Sequence, residues 1–154
     1  MAAVHMQPDL WQKSSKNDNG DLDFYLPRVG KYGDTTSHPA QTQALRELGV
    51  ESEWRTNLTI ADVKREIDQG RPVILGILHN GHVSSPRHDS GHMILAVGYD
   101  ERGLFIHDPN GELDVVNGGY LASVRGDFLH YSYKNLGPRF EVDGPGTGWG
   151  RLFF

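Results

Sequence analysis

No cysteine occurs among the 154 residues. The chain can therefore form no disulfide, offer no thiolate to a metal and supply no thiol nucleophile of its own. A basic surplus is also missing. Lys and Arg number 15 against 20 Asp and Glu, a formal charge of -5. No basic run could follow a phosphate backbone, so nucleic acid is not an expected partner. Long apolar runs are missing too: nothing approaches the roughly 20 residues of a membrane span. The opening MAAVHMQPDL has neither the basic start nor the apolar stretch of a secretory signal, and a soluble chain is expected.

Glycine, by contrast, is plentiful at 19 residues, and it is spread between apolar runs. That distribution predicts many tight turns within a single domain over residues 1–154. The polar stretch QKSSKNDNGD, residues 12–21, reads as a surface loop, and RVGKYGD, residues 28–34, as a turn. HPAQTQALRELG predicts a short helix, with Pro39 in its first turn, Ala40, Ala44, Leu45 and Leu48 on one side, and Gly49 as its stop. In NLTIADVKREIDQGRP, Thr59 can cap a second helix. Asp62 suits its positive end, Ile60, Val63 and Ile67 recur at helical spacing, and Gly70 and Pro72 end it.

PVILGIL is continuously apolar and predicts a strand covered on both faces. Three further strands are expected at 92–99, 103–108 and 112–116, joined by the short turns YDERG and DPNGE as an antiparallel meander. The class is thus α+β, with helices first and a mainly antiparallel sheet after them. The tail DGPGTGWGRLFF reads as irregular, docked through Trp149, Leu152, Phe153 and Phe154.

Two groupings could carry chemistry. In GHMILAVGYD, His92 stands at the mouth of a buried strand, and Gly91 beside it would let a substrate backbone come close. Asp108 closes LFIHD and is followed by Pro109. If 92–99 and 103–108 form a hairpin, Asp108 comes within reach of His92. A carboxylate on one ring nitrogen fixes the tautomer and frees the other nitrogen to take a proton. A histidine at a strand start and an Asp-Pro turn are common, so an ordinary structural role stays open on pattern alone. Tyr120, in the turn-like NGGY, is a possible substrate contact, and Asp127 reads as ordinary surface structure.

The second grouping is HNGHVSSPRHDSGH, with His79, His82, His88 and His92 and with Asp89 among them. Imidazoles with a carboxylate are a zinc donor set, which would make His92 a ligand of a metal-dependent hydrolase. Otherwise no cofactor is expected. Of the hydroxyls, Ser14, Ser15, Thr35, Thr36, Ser37, Ser84, Ser85 and Ser90 lie outside any Gly-x-Ser-x-Gly turn and have no visible activation.

The sequence DVKREIDQGRPVILGIL, then GHMILAVGYD, then LFIHDPNGE resembles the papain-like cysteine peptidases of the bacteriocin-processing, double-glycine-leader type, with their relatives among phage and bacterial lysins. The resemblance runs over roughly residues 40–117. It implies a papain-like α+β fold with N-terminal helices packed on the sheet, and a peptide or peptidoglycan-like amide substrate. His92 would be the general base and Asp108 its orienting partner. The family's nucleophile is a Cys at the start of an N-terminal helix, and this chain has none. MAAVHMQ looks like the remainder of such a helix, so the expectation is a chain that begins just past the nucleophile or a degenerate relative. A cytoplasmic or phage-associated location would fit. A non-catalytic module that binds a peptide or a protein partner in the same cleft is the alternative.

Overall fold

A computed structural model describes residues 2–6, 9–10, 25–122 and 124–154. The segment 12–21, expected to be a loop, lies outside the described residues. The chain divides into two compact units, Met1–Trp54 with Phe153–Phe154, and Arg55–Leu152.

In the first unit the helices are α1 (Ala2–Met6), α2 (Leu26–Val29) and α3 (His38–Glu47). α3 is the first helix expected from the sequence: Ser37 caps it by accepting from the Ala40 N–H, and Pro39 occupies its first turn, where a missing N–H costs nothing. Val29, Ala40 and Ala44 form a small core with Tyr25 against it. The small alanines allow α2 and α3 to approach closely. Glu47 receives the Tyr32 hydroxyl and stands 3.6 Å from Lys31 Nζ.

Six strands form one sheet in the order β1-β6-β2-β3-β4-β5: β1 (Ser52–Leu58), β2 (Val73–Leu78), β3 (Gly91–Tyr99), β4 (Gly103–His107), β5 (Leu129–Ser132) and β6 (Gly148–Phe153). β6–β2, β2–β3, β3–β4 and β4–β5 are antiparallel pairs. α4 (Ile60–Asp68) packs on β2 and β3, and α5 (Tyr133–Phe140) packs on β2, β4 and β5. The α+β class and antiparallel sheet read from the sequence are therefore those observed.

The reasons are local. Thr59 and Asp62 form a reciprocal capping box at the start of α4, which satisfies two N–H groups that the helix cannot. Its far end is tied down where Arg71 grips the buried Glu66, with Nε 2.8 Å from Oε2. Val73, Leu75 and Ile77 alternate onto one face of β2 and meet Val63, Ile94, Ala96, Leu136 and Phe140 in the main core. On the opposite face the Trp149 indole lies over Gly76, where a Cβ would stand 1.7 Å from the ring. Both faces of β2 are covered, as its unbroken apolar run implies.

Two expectations need correction. Residues 112–116 are not a strand: they make one isolated bridge, Leu113 with Tyr120, and the edge beside β4 belongs to β5. The tail is not irregular, because residues 148–153 enter the sheet as β6, with Leu152 and Phe153 buried and Phe154 more than half exposed. Among the described residues no helix is long and apolar enough to cross a membrane.

Candidate active site

Alternation along the strands places the site at one end of the sheet. His92 lies opposite Ile77 and shares the face of Ile94 and Ala96, so its ring continues the core-facing row. Leu95 pairs with His107, which sets Asp108 one step past the end of β4, across from Ile94. His92 is then its diagonal neighbour on the same face, a separation that a long side chain spans. The outcome is a hydrogen bond of 2.8 Å from His92 Nε2 to Asp108 Oδ1.

The Asp108 side chain is fully buried and that of His92 is 12% exposed. Asp108 is held from several directions. Its Oδ1 also accepts the Asn110 N–H at 3.0 Å, its Oδ2 faces the Tyr120 hydroxyl at 3.4 Å, and its own N–H donates to Gly126 O at 2.7 Å. An ionised carboxylate can only accept, so the proton of the His92–Asp108 bond sits on Nε2. In the neutral ring Nδ1 then carries the lone pair, and it makes no hydrogen bond among the described residues.

Two more rings surround His92. His79 continues the face of Leu75 and Ile77 just past β2, and its Nδ1 donates to Ser90 O at 2.7 Å. Its centroid is 5.7 Å from His92 and 5.8 Å from Tyr120, and Tyr120 stands edge-on to His92 at 5.6 Å. Burial pushes the Tyr120 phenol well above its ordinary value, and the negative Asp108 adds to the shift. Tyr131 is raised for the same leading reason; its oxygen accepts the Leu113 N–H at 2.8 Å.

Of the residues singled out in the sequence, Asp108, His92 and Tyr120 come together here, and Gly91 precedes His92 in β3. Gly91 turns its Cα to the opposite face, where a Cβ would stand 3.6 Å from the Trp149 ring. The four-histidine grouping does not converge as a whole. His79 and His92 are neighbours, but His82 bonds Ser84 Oγ at 2.8 Å and Asp89 is taken by Arg87. Among the described residues no three His, Cys, Asp or Glu side chains are placed to hold a metal ion. Hydroxyls are likewise engaged elsewhere: Ser90 Oγ donates to Arg87 O, Thr36 bonds Asp34 and Ser37 caps α3. Asp127 pairs with Arg125 at the surface.

The nearness of His79 to His92 was readable in the period-two row Leu75, Ile77, His79 once β2 was assigned. A further buried group, Arg139, gives no such signal in the sequence.

The sequence model of the Peptidase_C39 like family matches residues 1–139. No curated protein matches the chain. Among solved structures, the crystal structure of a protein from Bacillus anthracis described as a C39-like peptidase is similar at 12% identity, with a TM-score of 0.43. The similarity covers 76% of this chain and 58% of that one, so the chain spans little more than half the length of that relative.

Proposed function

The chain belongs to the C39-like peptidase family, and from that premise we propose that His92 and Asp108 are the general base and its orienting partner in a papain-like domain that acts on peptide or peptidoglycan amide bonds. The observation that carries the reading is the buried 2.8 Å His92–Asp108 bond, which leaves Nδ1 unbonded. A thiol placed beside Nδ1 would give its proton to that nitrogen. The thiolate would then attack the amide carbon, and the imidazolium would return the proton to the leaving amine, giving a thioester that water hydrolyses with His92 again as base. Asp108 holds the ring and stabilises its charged form. Tyr120, edge-on to the His92 ring, and Gly91, the residue before His92 in β3, are the proposed substrate contacts.

The 154 residues contain no cysteine, so by themselves they supply no thiolate for that step. Two cases follow, and both are measurable. N-terminal sequencing and intact mass of the protein from its natural source decide whether a cysteine precedes Met1. With such a segment present, hydrolysis of peptides or cell-wall fragments is expected, and His92→Ala abolishes it. If that form shows no turnover on either substrate class, the peptidase reading fails. The second reading, a binding module using the same cleft, is favoured by the lack of a nucleophile. It predicts peptide affinity without turnover, retained in His92→Ala.

A further inference from the structure

Arg139, near the end of α5, is fully buried. Its guanidinium is spent on backbone carbonyls: Nε donates to Val115 O, Nη1 to Leu78 O and Nη2 to Gly81 O, each at 2.8 Å, and Nη2 reaches Val116 O at 3.5 Å. Among the described residues no carboxylate is within ion-pair distance of it, and burial pushes its basicity down. A buried cation without a bonded anion is costly, so the placement calls for a reason beyond filling space.

The carbonyls belong to two loops. One leaves β2 and carries His79, and the other runs from residue 114 to Tyr120. They are pressed together where Arg139 meets them. Gly119 N donates to His79 O at 2.9 Å and Val83 N to Val116 O at 2.7 Å. Gly118, at φ 82°, leaves no room for a side chain: a Cβ would stand 2.6 Å from both the N and the O of Gly81. The His79 and Tyr120 rings that these loops present are the two that stand against His92.

We propose that Arg139 is a positioning residue of the site: by holding Leu78 O, Gly81 O and Val115 O with one planar fork, it seats His79 and Tyr120 against His92 and fixes the imidazole plane toward Asp108. The inference rests on reading His92 and Asp108 as the base and its orienter. Lysine cannot replace the fork, because a single ammonium cannot reach three carbonyls spread over two loops in one plane.

Replacing a purely structural arginine would lower the unfolding midpoint and leave the rings of the folded protein where they are. The test therefore reads the rings. In the protein labelled at histidine and tyrosine, nuclear Overhauser contacts of His92 with His79 and Tyr120, and the 15N shifts that report its ring tautomer, are compared among wild type, Arg139→Lys and Gly118→Ala. Gly118→Ala wedges the same two loops apart without touching Arg139. Both variants are expected to lose the ring contacts below their unfolding midpoints, and His92 is expected to show a mixture of tautomers. Ring contacts unchanged in Arg139→Lys would overturn the proposal, whatever Gly118→Ala does. If Arg139→Lys does not fold, intact ring contacts in Gly118→Ala overturn it instead, because the loops would then not be what seats the rings. Where a cysteine-bearing form turns over, Arg139→Lys should also lower kcat on the order of 100-fold, the scale of an ångström misplacement, with KM little changed. Lack of turnover in the wild type would count against the peptidase reading alone, since the ring contacts are measured without it.

Discussion

Asp108 accepts from His92, Asn110 and Tyr120 with no solvent at its carboxylate. Removing a buried acceptor strands its donors, at about 1–3 kcal/mol for each group left unsatisfied. Asp108→Ala is thus expected to lower the unfolding free energy, read from urea titration, by at least that much, while Asp108→Asn, which keeps an acceptor oxygen, recovers most of the loss. Equal midpoints for Asp108→Ala and wild type would mean that the bond is not formed in solution. Tyr120 makes a separate prediction at alkaline pH. Its folded phenol is held above the unfolded value of about 10 by burial first and Asp108 second. A raised value contributes stability that is complete below pH 10 and declines as pH rises beyond it. The stability difference between wild type and Tyr120→Phe should therefore narrow above about pH 10. A gap that stays constant to pH 11 would show that the phenol is not shifted.

Elements differ in how much of them the sequence discloses. α4 is legible because Thr59, Asp62 and the spacing of Ile60, Val63 and Ile67 all state the same thing. Replacing its cap, Thr59→Ala, is expected to cost about 1 kcal/mol, with Thr59→Ser close to neutral. A cost under a few tenths, read from denaturant midpoints, would show that Asp62 alone serves the helix start. β2, β3 and β4 are legible from apolar content, and with them the closeness of His92 and Asp108. β1, SEWRTNL, is not: only its ends, Ser52 and Leu58, are buried, so no alternation marks it. β6 is hidden by the glycines of GPGTGWG, although Gly148 and Gly150 lie inside a strand against close backbone. Residues 112–116 mislead in the other direction. Leu113 is buried by the Tyr131 contact beneath it rather than by sheet pairing, and apolar composition cannot separate the two. Arg139 shows the limit most clearly: its partners are backbone carbonyls about 23 to 61 residues away, and carbonyls carry no sequence signature.

At the scale of the whole molecule, the acidic surplus is matched by carboxylates that the fold holds in their charged form. Asp34 and Glu47 in the first unit are lowered mainly by hydroxyls, those of Thr36 and Tyr32. In the second unit, Asp62 is lowered mainly by Thr59, Asp89 by Arg87, Asp114 by the Asn117 N–H, and Asp100 by His130. Asp100 is the largest of these shifts, from 3.8 to about 2, with the Arg102 and Gly103 N–H groups adding to the His130 bond. A depressed carboxylate contributes stability that is complete above its unfolded value and is lost as pH falls toward its folded one. Every shift in the set has that sign, so the contribution of these carboxylates should hold from neutral pH down to about 4 and then be lost with protonation. Asp100 titrates last, and its share of the loss falls between pH 3.8 and about 2. Asp100→Asn should accordingly be less stable than wild type at pH 7, and the two curves should converge as pH approaches 2 in urea titrations at stepped pH. Curves that run parallel across that interval would place the Asp100 contribution in the turn geometry of residues 100–103 rather than in the carboxylate's charge.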